Sequence, residues 1–469
     1  MHDDSRTETA HYLDVRRLWP FGRNVTLFLL SVTLGLLAVA LVPEGELPKP
    51  ALYTLFILVT AVALWITEAI PPFAVGILIM AFLVFAIGSL RAEGEQIDVM
   101  QFVNTWSSPV IWLMLSGFFI SEGLQRTGLD RTLFNFALRS FGGSAPRLLA
   151  GLMSVTAVIS MIMLNTATTA MMIAAILPLL KESSKSDPLA KDVLLGIPAA
   201  AAVGGMGTII GTPPNAITVG ALANVGISIN FVQWMLYGLP VAVALLAASW
   251  WILSRSLVGK VMHIPAIEPC HHEHPEMARL PKIVMAGTLV LTLLLWMTTT
   301  LHGIHVAAIG AIPIVTLTVS GIIRAKDLRA LSWDCLMLVS GGLSLGLAIE
   351  KSGLAQYAAN LLRLESVSPY LVILLLGYIT TLVSNVMSNT AAATVLIPIG
   401  ALITPEYAMQ AGIVIGLSAS TALLFPVSTP PNAIAFATGY LEQQDFRRLG
   451  GFFALCAPVL ITLWVMLVS

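Results

Sequence analysis

Long apolar windows alternate with short polar ones along this chain. They fall near 25–43, 50–68, 73–90, 109–125, 148–180, 193–222, 231–254, 283–301, 304–323, 335–350, 370–404, 411–437 and 452–468. Most are close to the roughly 20 residues that one helix needs to cross a hydrocarbon core. The two longest, 148–180 and 370–404, run to 33 and 35 residues, and a polar Asn-Thr cluster interrupts each midway. As a single helix either would be about 50 Å long, against a core of roughly 30 Å. Two half-length helices meeting at a polar tip account for both the length and the interruption. The result is a re-entrant hairpin that enters and leaves on one side, tolerated at depth only where protein or a watery cavity surrounds it. The pattern predicts an all-α polytopic membrane protein of eleven transmembrane helices plus two re-entrant hairpins.

Basic residues test that layout. With the N-terminus in the cytoplasm and the C-terminus outside, only Lys49, Arg91, Lys351 and Arg363 of the 24 Lys and Arg fall outside. That asymmetry is the one expected of a multi-pass protein of the plasma (inner) membrane. Reading either long window as one crossing inverts everything downstream and destroys it.

Composition agrees. Of 469 residues, 57% are apolar and 10% charged, with a net charge of −1 and a mean hydropathy of +0.88. An ordinary soluble protein is about one quarter charged, so a soluble enzyme, a disordered scaffold and a nucleic-acid binder are all excluded. Cys270, Cys335 and Cys456 are too few and too scattered for a disulfide framework. The polar N-terminal stretch lacks a signal-peptide core, so the 25–43 window reads as a retained helix.

The chain repeats itself. Leu113-Met114-Leu115-Ser116-Gly117 answers Leu336-Met337-Leu338-Val339-Ser340-Gly341, and Asn165-Thr166-Ala167 answers Asn389-Thr390-Ala391. Thr212-Pro213-Pro214-Asn215-Ala216-Ile217 answers Thr429-Pro430-Pro431-Asn432-Ala433-Ile434 in the same order. The expected organisation is a cytoplasmic N-terminus with the first transmembrane helix (1–49), a first repeat (50–260, hairpin 148–180), a cytoplasmic loop (261–282) and a second repeat (283–469, hairpin 370–404). Five crossings per repeat is an odd number, so the second copy enters from the opposite side. Inverted-topology repeats are the usual build of secondary transporters, with substrate near the midplane where the copies meet.

Thr-Pro-Pro-Asn inside an apolar window breaks a helix, because proline removes a backbone donor and clashes with the preceding turn. It also suits a helix start. An unwound stretch before the prolines frees carbonyls for a cation, and the helix restarting after them offers its positive N-terminal dipole to an anion. Asn-Thr at the hairpin tips adds amide and hydroxyl groups. The mid-bilayer stretches hold no Asp, Lys, Arg or His, while Glu68, Glu122 and Glu350 stand at span ends, where interfacial water solvates them. That disfavours a proton–cation antiporter, which needs buried carboxylates. The Cys270-His271-His272-Glu273-His274 stretch reads as a solvated loop or, less readily, a metal site. Trp19, Trp65, Trp106, Trp234 and Trp333 read as interfacial anchors.

These motifs, together with Trp65-Ile66-Thr67-Glu68-Ala69, resemble the divalent anion/sodium symporter family, which includes bacterial dicarboxylate transporters and animal citrate and sulfate carriers. The resemblance covers nearly the whole chain. It implies a homodimer with a scaffold domain and an elevator-type transport domain that carries both hairpins and both broken helices. It places substrate at Asn165, Thr166 and Thr212 from one repeat and at Ser388, Asn389, Thr390, Thr429 and Pro430 from the other. It places one sodium ion at Asn165 and the Gly211 carbonyl, and a second at Ser384, the Met387 carbonyl, Asn389 and the Ser428 carbonyl. One departure stands out: the first tip reads Leu164-Asn165-Thr166 where the family has Ser-Asn-Thr, and leucine has no hydroxyl oxygen to offer. The expected function is sodium-coupled carriage of C4 dicarboxylates such as succinate, malate and fumarate. A sodium-independent exchanger, a citrate, 2-oxoglutarate or sulfate carrier and, outside this class, an anion channel are the alternatives. No enzymatic activity, organic cofactor or nucleic-acid partner is expected; the partners are a small dianion, the lipid bilayer and a second copy.

Overall fold

A computed structural model describes residues 15–90, 97–141, 144–180, 187–257, 279–362 and 367–469. The Cys270–His274 stretch lies outside the described residues. All described elements are helical. After an N-terminal helix Val15–Ala40 come Lys49–Thr67, Pro72–Ser89, Pro109–Thr127, Leu129–Phe141, the pair Ala145–Ser160 and Asn165–Leu180, then Pro188–Gly205, Pro213–Asn224 and Phe231–Ser254. The second half runs Arg279–Met297, Val306–Val319, Trp333–Lys351, Leu354–Leu362, the pair Pro369–Ser384 and Asn389–Ile403, then Ala408–Ala419, Pro430–Ala437 and Asp445–Val468. The two series match helix for helix, in the same order.

Eight of the described helices are long and apolar enough to cross a membrane. The hairpin arms are not: they have 16, 16, 16 and 15 residues, about 24 Å at 1.5 Å per residue. The two arms of each hairpin pack against each other. Helix starts follow the local sequence. Pro72, Pro109, Pro188, Pro213, Pro369 and Pro430 all stand in first turns, where a missing N–H costs nothing.

Packing exchanges partners between the halves. Pro72–Ser89 lies along Trp333–Lys351, and its counterpart Val306–Val319 lies along Pro109–Thr127. At the first crossing the backbones touch, with Gly341 against the backbone of Gly76. Small residues are what allow such approach between membrane helices. Likewise Pro213–Asn224 packs on the outgoing arm Asn389–Ile403, and Pro430–Ala437 packs on the outgoing arm Asn165–Leu180. Each restarting helix therefore rests on the other repeat's hairpin.

Leu129–Phe141 and Leu354–Leu362 correspond to no apolar window in the sequence. They are short and two-faced: Phe134 is buried while Leu133 and Phe136 are exposed. Two of the tryptophans expected as interfacial anchors are instead core residues. Trp65 is 2% exposed and donates to the Pro72 carbonyl, and Trp234 is wholly buried and donates to the Met206 carbonyl at 3.0 Å. Buried indole N–H groups need an acceptor, and the interrupted backbone at 206 supplies one. The span-end glutamates differ too. Glu68 is exposed at the end of its helix, Glu122 pairs with Arg126 at 2.6 Å, and Glu350 buries Oε2 without a partner.

Candidate functional site: hairpin tips and helix breaks

The first helix break spans 206–212, between Gly205 and Pro213. Thr212 is extended, with φ −150° and ψ 144°, and the helix begins again behind it. The second break spans 420–429; Thr429 repeats the conformation at φ −140° and ψ 150°. Its hydroxyl accepts from the Asn432 N–H at 3.4 Å, a long N-cap contact.

Unwinding leaves carbonyls without their helical donors. The asparagine that follows the two prolines fills that gap in both repeats. Asn215 Nδ2 donates to the Thr208 carbonyl at 2.7 Å, and Asn432 Nδ2 donates to the Phe425 carbonyl at 3.0 Å. Both acceptors lie four residues before the break threonine. The carbonyl seven residues before it is satisfied differently: Gly205 accepts from Asn215 Nδ2 at 2.8 Å, and Ala422 accepts from Ser428 Oγ at 3.0 Å. Asn215 and Asn432 are buried at 0% and 1% exposure. Their place in the motif was legible, but this role was not.

The hairpin tips are tied to these breaks. Thr208 Oγ1 donates to the Met161 carbonyl, and the Leu424 N–H donates to Asn385 Oδ1 at 3.0 Å. Met161 and Asn385 occupy the same position in their hairpins, just past the incoming arm. At the first tip Asn165 lies over Gly205. A Cβ on that glycine would sit 2.6 Å from Asn165 Oδ1 and 3.2 Å from the Gly211 carbonyl oxygen. Tip amide, break carbonyl and glycine thus converge, bringing near each other Asn165 and Gly211, the pair that the family resemblance implies. Gly211 in turn abuts the Gly205 carbonyl too closely for any side chain.

Ser160 joins this group, its hydroxyl donating to Asn165 Oδ1 at 2.7 Å. Sequence reasoning passed over it, although the signal was present: Ser160 stands five residues before Asn165, as Ser384 stands before Asn389. In the second hairpin Ser384 is wholly buried, and neither Ser384 Oγ nor Asn389 Oδ1 has a hydrogen-bond partner. Ser388 is exposed and caps the outgoing arm, accepting from the Ala391 N–H at 3.2 Å. Leu164 in the same place of the first hairpin cannot cap.

Of the remaining expected residues, Thr212, Thr429, Ser428, Gly211 and Met387 are buried around the breaks and the second tip. Asn165, Asn389 and Thr390 are half-buried, and Thr166 and Pro430 are exposed. The two halves of the site belong to one packed unit, because each restarting helix lies on the opposite outgoing arm. Restarting N-termini, buried amides and hydroxyls are groups that bind a carboxylate without arginine. Buried oxygens without donors are groups that bind a hard cation.

The family model described as citrate transporter matches residues 62–415. The sodium-dependent dicarboxylate transporter SdcS of Staphylococcus aureus (strain USA300) is 29% identical over 474 aligned positions, covering 93% of this chain and 89% of that protein. Among solved structures, the YdaH transporter of Alcanivorax borkumensis superimposes with a TM-score of 0.56 at 13% identity, covering 90% of this chain and 98% of the other. MtrF of Neisseria gonorrhoeae, described with a class of antimetabolite efflux pumps, gives 0.56 at 12% identity, covering 90% and 96%. At such identities those two structures speak to the fold alone.

Proposed function

The chain belongs to the citrate transporter family, and from that premise we propose that it is a secondary transporter that couples C4-dicarboxylate uptake to sodium. The relative named as a sodium-dependent dicarboxylate transporter supports both the substrate class and the ion. The observation that carries the reading is the paired construction of tip and break, with buried, unpartnered oxygens on Ser384 and Asn389.

In this reading one carboxylate of the dianion meets Asn165, Thr166, Thr212 and the helix restarting at Pro213. The other meets Ser388, Asn389, Thr390, Thr429 and the helix restarting at Pro430. Each helix start contributes roughly half a positive charge, and threonine hydroxyls and asparagine amides donate to the carboxylate oxygens. Sodium, held by Ser384, Asn389 and the Met387 and Ser428 carbonyls, supplies the positive charge that no lysine or arginine provides here; Asn165 and the Gly211 carbonyl are the corresponding oxygens of the first repeat. The donor set fits that ion: oxygens only, buried, and in part without other partners.

The remaining expectations belong to the same reading: eleven crossings, a cytoplasmic N-terminus, a homodimer, and a transport domain of hairpins and broken helices moving against a scaffold. The exchange of packing partners between repeats supports a unit that moves as one body. The test is uptake of labelled succinate by proteoliposomes with and without an inward sodium gradient, against a panel of citrate, 2-oxoglutarate and sulfate. Uptake that ignores sodium but requires internal dicarboxylate would replace this reading with exchange.

A further inference from the structure

We propose that the two half-sites are unequal toward sodium: the second holds the coupling ion, and the first, closed by its own hydrogen bond, serves the anion alone. This rests on the reading of the chain as a sodium-coupled carrier. The repeats invite comparison because their hairpins share one register, with Ser160 and Asn165 standing where Ser384 and Asn389 stand.

The same two side chains are in different states. In the first hairpin the Ser160 hydroxyl donates to Asn165 Oδ1 at 2.7 Å, so the amide oxygen is satisfied within the protein. In the second, Ser384 Oγ and Asn389 Oδ1 are both buried and both lack a partner. Leaving a buried acceptor unpaired carries a desolvation cost, and one ligand at this tip would remove that cost for both oxygens at once. A hard monovalent cation is that ligand, since it takes oxygens and asks for no donor.

One further difference points the same way. Ser388 at the second tip is Leu164 at the first, which removes a hydroxyl. The first half keeps buried unpartnered oxygens too, Asn215 Oδ1 at the break and the Thr168 and Thr169 hydroxyls on the outgoing arm, but the tip amide oxygen of Asn165 is itself already taken. Placing sodium at Asn165 requires the Ser160 hydrogen bond to rearrange first; placing it at Asn389 requires nothing to break.

The experiment uses the purified full-length protein in detergent. Its melting temperature is titrated with sodium chloride, with choline chloride as the ionic-strength control, and succinate uptake is followed against sodium in proteoliposomes. The wild type should show a sodium-specific rise in melting temperature and a Hill coefficient near one for sodium. Ser384→Ala should lose the sodium-specific rise and raise the half-saturating sodium concentration about tenfold or more. Ser384→Thr, which keeps the oxygen, should retain the rise, as should Ser160→Ala. A sodium rise erased by Ser160→Ala, or a Hill coefficient near two, would overturn the inference while leaving sodium coupling intact. Should Ser384→Ala not purify, the Ser160→Ala arm and the wild-type coefficient decide the matter. A wild type that shows neither sodium-specific stabilisation nor sodium-dependent uptake would overturn the sodium-coupled reading, and this inference with it.

Discussion

Gly205→Ala puts the tip-and-break geometry under direct strain. The glycine ends a helix in which alanine would ordinarily be the better residue by about 0.5–1 kcal/mol. Here the new methyl would lie 2.6 Å from Asn165 Oδ1 and 3.2 Å from the Gly211 carbonyl oxygen. Ordinary contact begins at 3.4 Å, so the Asn165 amide must retreat by about 0.8 Å. Its 2.7 Å hydrogen bond from Ser160 leaves little slack in which to do so. Losing that bond costs about 1 kcal/mol, and overpacking adds about 1–3 kcal/mol. The net, after the helix gain is subtracted, is about 1–3.5 kcal/mol, a change of about five- to a few hundredfold if it falls on anion affinity. The assay is half-saturating succinate in proteoliposomes, with size-exclusion behaviour and melting temperature checked beside it. Gly287→Ala is the control, since that exposed helical glycine has nothing within 4 Å of the added methyl. Wild-type affinity in Gly205→Ala, with the control equally silent, would refute the claim that Asn165, Gly205 and Gly211 form one functional contact.

Three further perturbations probe other parts of the structure. Asn389→Ala should lower succinate uptake tenfold or more while the purified protein keeps its elution profile; uptake near wild type would remove Asn389 from the site. Arg126→Gln leaves Asp327, 4% exposed, without its 2.8 Å ion-pair partner; with Arg126 one-third exposed the loss should be about 1–3 kcal/mol, read as a lower melting temperature that Asp327→Asn partly restores. Asp130 is buried, and that burial pushes its carboxyl above its usual 3.8, only partly offset by the Arg131 N–H at 2.8 Å and the Arg131 charge. A raised folded-state pKa favours folding below the unfolded value, and that benefit is lost as pH rises through the folded one. Asp130→Asn, which keeps the accepting Oδ1, should therefore melt higher than wild type near neutral pH, with the difference closing toward about pH 4.

The two long windows were legible because apolar length and polar interruption are one-dimensional signals. The pairs of short helices at 145–180 and 369–403 lie within a few residues of the 148–180 and 370–404 windows. The breaks were legible for the same reason, since Thr-Pro-Pro-Asn can be neither mid-helix nor random. Three things were not. The helices Leu129–Phe141 and Leu354–Leu362 are too short and too polar to form an apolar window. Trp65 and Trp234 resemble interfacial anchors by position, yet each is held in the core by a backbone acceptor that only the tertiary fold supplies. Ser160 is an ordinary residue at the end of an ordinary arm until Asn165 folds back over it.

The exchanged packing explains why a site built from two repeats can depend on both at once. Pro213–Asn224 of the first repeat rests on the outgoing arm that begins at Asn389, and Pro430–Ala437 of the second rests on the arm that begins at Asn165. Within each repeat the tip is bonded to its own break through Thr208–Met161 or Leu424–Asn385. A displacement at one tip therefore passes to its own break, then through the restarting helix to the opposite arm. Gly416 against the Thr218 hydroxyl and Gly412 against Leu222 close the remaining gap, pressing the first restart onto the helix that precedes the second break. Close packing of this kind resists gradual deformation. An anion bridging the two tips would thus bind a body already assembled, and ion binding at one tip would be felt at the other without any charged side chain between them.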